Sequence, residues 1–439
     1  MTGDALPETP DDGYFRARWL VLAVLALIYV CNVADRLVLS ILAQDVKADL
    51  HLSDFEVGLL VGPAIAFFYA ILGIPMAFVA DRVNRVRFLA LCLAMWSILT
   101  ALGGATANAL QLGLARIGVS AVEAGGSPAS SSIIADYFPE RERPTAMGIY
   151  SAGSTIGILV SFALGGLINA HFGWRWTLVA AGTPGVLLTL LLILTVREPP
   201  RGLRDGGRAS SGRTIVDPHS MLSGLALLWR IRFYRQVVIA AGLSNFCFQM
   251  VLNWSPSLIM RKFFAASSHA GVWMGVGIAI CGGGAAIIGG RVISRLAAQG
   301  MSRPLRIAAV LQVLSVPLTL AALFAPWLPL CVTLLCIAYG LQSFFVPIYW
   351  SVSQSHVPPA MRGLSSALML LSIAIWGHGI AAPAIGALSD WLAPTVGAAS
   401  LQYAVAIGLL MNLLTTYLFV RAAATARRER TTESDAMPA

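Results

Sequence analysis

The sequence predicts an all-α polytopic membrane protein of twelve transmembrane helices arranged as two six-helix bundles. Three observations predict it. The 439 residues are 57% hydrophobic and 12% charged, with a mean hydropathy of +0.76, well above the usual range for soluble domains. Apolar runs of the roughly 20 residues needed to cross a bilayer recur along the chain. The basic residues collect in alternate connections, the pattern that orients membrane helices.

In order, the apolar runs lie near 18–43, 54–79, 87–107, 110–135, 145–170, 174–196, 236–260, 270–294, 304–325, 328–352, 363–388 and 398–420. Several contain proline (Pro63, Pro75, Pro128, Pro256, Pro317, Pro347, Pro383), which membrane helices tolerate where neighbours satisfy the freed backbone groups. Residues 1–17 are read as an acidic tail without a cleavable signal pattern, residues 18–196 as the first bundle and residues 236–421 as the second. Between them, 197–235, opening "REPPRGLRDGGRASSGR", is a polar, basic linker. It should include a short interfacial helix around "MLSGLALLWRIRFYRQ". Residues 422–439 form a second tail.

The formal charge of +9 comes from 30 basic and 21 acidic residues. With the N-terminus cytoplasmic, 24 of the 30 basic residues fall inside, four outside (Lys47, Arg175, Arg261, Lys262) and two, Arg36 and Arg116, within the membrane. Both termini are therefore expected in the cytoplasm and the chain in the inner membrane. The excess charge reports topology, so no nucleic-acid partner is expected. The six cysteines (Cys31, Cys92, Cys247, Cys281, Cys331, Cys336) lie in apolar runs with no metal-ligand spacing, so neither metal nor cofactor is expected. No H-E-x-x-H and no evident pair of catalytic aspartates marks an intramembrane enzyme.

The halves echo each other. "AFVADRVNRVR" after the second run corresponds to "GRVISRLAAQGMSR" after the eighth, aligning Arg82 with Arg295; "FPERERPTAMG" corresponds to "VPPAMRGLSSA". The offsets, 213 and 219 residues, describe one duplicated six-helix unit. This plan resembles the major facilitator superfamily, whose motif after the second helix is G-x-x-x-D-R-x-G-R-R. Asp81, Arg82 and Arg85 match it, while Ala77 and Asn84 replace its glycines. The resemblance implies a cytoplasmic gate of Asp81, Arg82, Arg85 and Arg143, in which a carboxylate at a helix end pairs with arginines and a facing helix terminus.

Four charges lie within the membrane runs: Asp35 and Arg36 in the first, Arg116 and Glu123 in the fourth. Each costs roughly 2.5–3.5 kcal/mol at a helix centre, so they should face inward and be paired. Sequence neighbours point about 100° apart on a helix, so Asp35 and Arg36 do not suit each other. Arg116 and Glu123, seven residues apart, are separated by about 10 Å along one face. The economical arrangement crosses, Arg116 with Asp35 and Arg36 with Glu123; the opposite pairing or a water-linked cluster is the alternative. Asp35 and Glu123 are the candidate proton carriers, and Arg36 and Arg116 the anion-holding cations. The second half has no intramembrane charge. It offers polar and aromatic candidates for substrate contact, of which Asn253, Trp254, Tyr349 and His378 are retained.

Finer motifs resemble the spinster-like group: Asp35-Arg36, Arg116 with Glu123-Ala124, "ADYFPERER", "GWRW", "REPPRG", "NWSPSLIMRKFF" and "APAIGALSD". That resemblance implies transport of lysophospholipids, sphingosine-1-phosphate or related lipid-like anions, coupled in some members to protons. The antiporter pattern of the fifth helix is partial: Gly153 and Gly157 match, Ile158 replaces its proline, and Gly165-Gly166 come late. The expectation is a monomeric, proton-coupled secondary transporter of an amphiphilic anion, working among membrane lipids by alternating access. The alternative is a proton-coupled symporter of small organic anions, sugar acids or aromatic carboxylates. What separates them is the second-half wall, expected here to be dry.

Overall fold

The computed structural model describes residues 10–200, 218–297, 300–344, 346–355, 357 and 361–435. The outer parts of both tails and most of the expected linker lie outside them. Every regular element among them is helical. The first span is Pro10–Leu50, and the second is divided into Asp54–Val61 and Pro63–Ala80. The third is Arg85–Gly103, and the fourth is divided into Ala109–Glu123 and Gly126–Tyr137. The fifth and sixth share Arg143–Thr195 and turn at Gly173, whose φ of +80° suits a residue without a Cβ. After the surface helix Pro218–Arg230 come the seventh (Arg232–Phe263), eighth (Ser267–Ala297) and ninth (Ser302–Leu323) spans. The tenth runs through Leu328–Ser343 and Val346–Ser355. The eleventh is Arg362–Ile373, a π-helical Ala374–Ile380 and Ala381–Val396; the twelfth is Ser400–Gly408 and Leu410–Asp435.

Local sequence explains the divisions. The second span breaks at Gly62-Pro63, where proline starts the new helix without a donor to lose. The fourth breaks at Gly125-Gly126, just after Glu123. Caps fix the helix starts next to short connections: Ser53 and Glu56 form a reciprocal capping box, and the side chains of Asn84 and Asn108 each accept a first-turn N–H. The surface helix stops at Arg230, earlier than the expected stretch, because Ile231 is extended and Arg232 begins the seventh span. Leu227 and Trp229 on it are exposed, as an interfacial helix requires.

The packing of apolar side chains determines which end of the molecule is closed. On the side away from the termini, one buried cluster joins the halves: Leu39, Leu42, Leu60 and Phe162 from the first belong to the same core as Met250, Leu258, Met274 and Ala382 from the second. Toward the termini the core is split. Val21, Leu89, Ile133 and Leu192 form one cluster, and Tyr234, Leu305, Ile348 and Phe419 another. The cleft between the halves is thus sealed at the far side and open toward the termini.

The seal depends on close backbone approach between the fifth and eighth spans. A Cβ at Gly271 would overlap the Phe162 carbonyl, and one at Gly166 the Ser267 carbonyl. We expect Gly271→Leu to force these spans apart. Spin labels at Trp176 and Trp327, both exposed toward the far side, should then show a longer-distance population by pulsed electron resonance. An unchanged distance distribution would contradict the packing account.

Candidate functional site

The site is built from the first and fourth spans. Arg116 Nη1 donates to Asp35 Oδ1 (3.2 Å) and Nη2 to the Asp35 carbonyl (3.0 Å), while Thr100 Oγ1 of the third span donates to Asp35 Oδ2 (2.7 Å). Arg36 Nε donates to Glu123 Oε2 (3.0 Å). The crossed arrangement is present, with each acid on one span facing the arginine of the other.

The two pairs differ in character. Asp35 and Arg116 are 3% and 1% exposed and tie three spans together inside the first half. In the second pair Glu123 is sealed, whereas the Arg36 side chain is 27% exposed and lies 4.0 Å from the Tyr69 ring centroid. Arg36 Nη2 and Glu123 Oε1 have no hydrogen-bond partner. The Arg36 side chain is partly open to the cleft and held to Glu123 through Nε, so it can grip an anion there, while the orphan Nη2 and Oε1 atoms are themselves buried.

Sequence reasoning missed the tyrosines around this pair. Tyr29 stacks on Tyr150 (centroids 4.6 Å apart), and Tyr69 Oη donates to Ser127 Oγ (3.4 Å). One signal was available: Tyr29 precedes Arg36 by seven residues, two turns along the same face. First-half residues thus bring phenol and serine hydroxyls close to the charges.

In the second half the expected contacts separate. His378 is exposed, and its Nδ1 lies 2.7 Å from Gln249 Nε2. Its setting is the π-helical turn Ala374–Ile380, a geometry that disrupts the regular backbone ladder. Asn245 Nδ2 accordingly donates to the Ile373 carbonyl (3.0 Å) and Trp254 Nε1 to the Ala382 carbonyl (3.2 Å), one on each side of the turn. Trp254 is therefore a buried support, 1% exposed, with no face for a ligand in this conformation. Asn253 is also buried, accepting from Ser40 Oγ across the halves (3.1 Å). Tyr349 packs against the termini-side core of the second half. The wall expected to be dry carries the Gln249–His378 pair.

Toward the termini, Arg85 is 2% exposed. It donates to Asp136 (2.5 Å), Glu198 (2.7 Å), Ser132 Oγ (2.8 Å) and the Pro199 carbonyl (2.8 Å). All four belong to the chain before the surface helix, so Arg85 clamps the first half's own helix ends. Arg143 Nε likewise donates to the Ala135 and Phe138 carbonyls (2.9 and 3.1 Å). Arg82 is exposed and folds back over Phe78. Asp81 caps the end of the second span.

The cross-half polar clasp lies instead at the far side, at residues that sequence reasoning passed over. Asp54, 2% exposed, accepts from Lys47 Nζ (2.5 Å), Arg261 Nη1 (2.8 Å) and Ser389 Oγ (2.6 Å), and also from Arg261 Nη2. Arg261 Nε donates to Gln44 Oε1 (2.7 Å). Asp390, from the eleventh span, accepts the backbone N–H groups of Asp54 and Phe55 (2.9 and 2.8 Å), capping the positive end of the second span across the interface. A second bridge runs from Asn169 Nδ2 to Ser267 Oγ (3.0 Å). Removing one partner of a buried pair leaves the other charge uncompensated. We expect Asp54→Asn to loosen the far side by about 1.4 kcal/mol or more, a tenfold shift in population. In a background lacking the native cysteines, a cysteine at Tyr69 should react about tenfold faster with an impermeant thiol reagent added from that side; an unchanged rate would contradict the clasp.

Among the described residues no cluster of His, Cys, Asp and Glu is suited to a metal. The Major Facilitator Superfamily pattern matches residues 25–382. An MFS-type efflux pump of Mycolicibacterium smegmatis is 30% identical over 415 residues, 94% of each chain. A probable galactarate/D-glucarate transporter of Bacillus subtilis is 27% identical, covering 69% of this chain and 70% of its own. The crystal structure of a bacterial homologue of the human lysosomal transporter Spinster, inward-facing and unoccupied, superposes with a TM-score of 0.83 at 26% identity, covering 94% of this chain and 98% of that one. With a family match over most of its length and a relative similar from end to end, the chain belongs to the Major Facilitator Superfamily and is a secondary transporter, not an enzyme.

Proposed function

We propose that the protein is a proton-coupled transporter of small organic anions, with sugar acids as the leading class. It would work by alternating access in the inner membrane with both termini in the cytoplasm. The observation that carries this reading is the Arg36–Glu123 pair, whose arginine side chain is partly exposed while its acid is sealed. Hydroxyl groups of Tyr29, Tyr69 and Ser127 stand on its side of the cleft, and the Gln249–His378 pair belongs to the opposite half. A hydroxylated carboxylate needs hydrogen-bonding groups on both walls. The name of the Bacillus subtilis relative supports the same class.

The chemistry follows from charge balance. A substrate carboxylate that takes the Arg36 guanidinium leaves Glu123 buried without its counter-charge. A buried carboxylate in that position is costly until a proton neutralises it. The loaded site is then no more charged than the empty one, and the halves can rock about it. In this scheme Glu123 carries the proton and Arg36 holds the anion. Asp35 and Arg116, bound to each other and to Thr100, keep the first, third and fourth spans in register. His378 would contact the substrate from the second half. The same cycle runs in either direction, so the gradients set whether it imports or exports.

A second reading, transport of an amphiphilic anion such as a lysophospholipid, is favoured by the likeness to the Spinster homologue and by the shared motifs of the first half. One vesicle experiment separates them. Reconstituted protein should accumulate labelled D-galactonate, a sugar acid with one carboxylate, under an imposed proton gradient. Arg36→Gln should lower the rate by about 100-fold, consistent with loss of a charge-assisted contact of roughly 2–3 kcal/mol. Glu123→Gln should retain exchange while losing gradient-driven accumulation. Movement of labelled lysophosphatidylglycerol without movement of D-galactonate would overturn the organic-anion reading in favour of the lipid, and unchanged accumulation by Glu123→Gln would overturn its proton role.

A further inference from the structure

A second polar cavity lies away from the central cleft, at the termini-side ends of the seventh and twelfth spans. Its volume is about 360 Å³, and its lining includes four arginines, Arg232, Arg235, Arg421 and Arg428, together with Gln236 and Thr425. Thr425 Oγ1 donates to Gln236 Oε1 (3.2 Å) and joins the two spans. Among the described residues no acidic side chain lines the cavity. Arg235 Nη1 reaches only the Trp229 carbonyl (3.3 Å), and Arg421 leans over the Tyr417 ring at 5.5 Å. None of Arg232, Arg235 and Arg421 is ion-paired with a described residue.

Arginines stand at this end of several spans, and some of them are neutralised there. In the first half, Arg85 meets Asp136 and Glu198, and Arg18 meets Glu142 at 3.1 Å. Here Arg232, Arg235 and Arg421 share one space with no carboxylate among its described lining residues, and an entering anion lowers their mutual repulsion.

The level of the cavity in the bilayer points to the source of that anion. On the twelfth span, just before Arg421, Leu410, Leu413, Leu414 and Tyr417 are 59%, 50%, 45% and 54% exposed, a lipid-facing stripe ending in an aromatic residue. Leu227 and Trp229 of the surface helix are exposed nearby in sequence. Such residues mark the boundary between acyl chains and headgroups, and basic pockets between helices at that depth suit lipid phosphate. We propose that this cavity binds the phosphodiester headgroup of an anionic membrane lipid, which bridges the seventh and twelfth spans. It is a site distinct from the transport cleft and does not depend on which anion the cleft carries.

The test uses the full-length protein in detergent, with phosphatidylglycerol and phosphatidylcholine as probes and native mass spectrometry and thermal unfolding as readouts. The wild type should retain phosphatidylglycerol at least tenfold over phosphatidylcholine and unfold at higher temperature with it. Arg232→Gln, Arg235→Gln and Arg421→Gln together should abolish both effects. Arg87→Gln, Arg291→Gln and Arg306→Gln together remove the same charge elsewhere and should leave both intact. If the triple variant fails to fold, Arg421→Gln alone should lower the preference at least threefold. Equal loss in both triple variants, no preference in the wild type, or an unchanged preference in Arg421→Gln would overturn the proposal. Equal stabilisation by inorganic phosphate would overturn the lipid assignment in favour of a soluble anion.

Discussion

The structure depends on keeping four charges inside a membrane, and it does so by crossing them between the first and fourth spans. Neighbours on a helix cannot pair, so Asp35 turns to Arg116 and Arg36 to Glu123. The first pair is buried, reinforced by Thr100 and by the Asp35 carbonyl. The second is open on one side. A rigid pair beside a releasable one fixes the helices while allowing one guanidinium to change partners. That asymmetry separates scaffold from site within a net-neutral cluster.

The charges at the two ends of the molecule have different tasks. Toward the termini, Arg85 donates to Asp136 and Glu198 and Arg143 Nε to the Ala135 and Phe138 carbonyls, all within the first half. At the far side, Asp54 gathers Lys47, Arg261 and Ser389, and Asp390 caps the second span from the opposite half. The apolar core agrees, being continuous across the halves at the far side and divided near the termini. Closing one end by charge and close packing while leaving the other free is what an alternating-access carrier needs in one of its two states. The asymmetry also explains why the polar far-side clasp uses carboxylates and arginines: such contacts can exchange for water when that end opens, unlike the interlocked glycines Gly166 and Gly271.

Much of this was legible in the sequence where physics leaves few choices. Apolar length and the duplicated basic motifs specify twelve spans, and the cost of an unpaired intramembrane charge specifies the crossed pairs. The far-side clasp was not legible: Asp54, Arg261 and Asp390 are more than 100 residues apart and stand where charge is unremarkable. Residue type without orientation misled at Trp254 and Asn253, which are turned into the packing and into the Ser40 bridge. His378 did reach an exposed position, because the glycines of "WGHG" allow a π-helical turn there. Tyr29 shared a helical face with Arg36 and was passed over in favour of charged residues.

The central claim is that anion binding at Arg36 transfers the need for neutralisation to Glu123. Titration calorimetry of D-galactonate, a monocarboxylate, in two buffers of different ionisation enthalpy measures the protons taken up per anion bound. The account predicts close to one proton for the wild type and close to none for Glu123→Gln with binding retained. Equal proton uptake by the two proteins would contradict it.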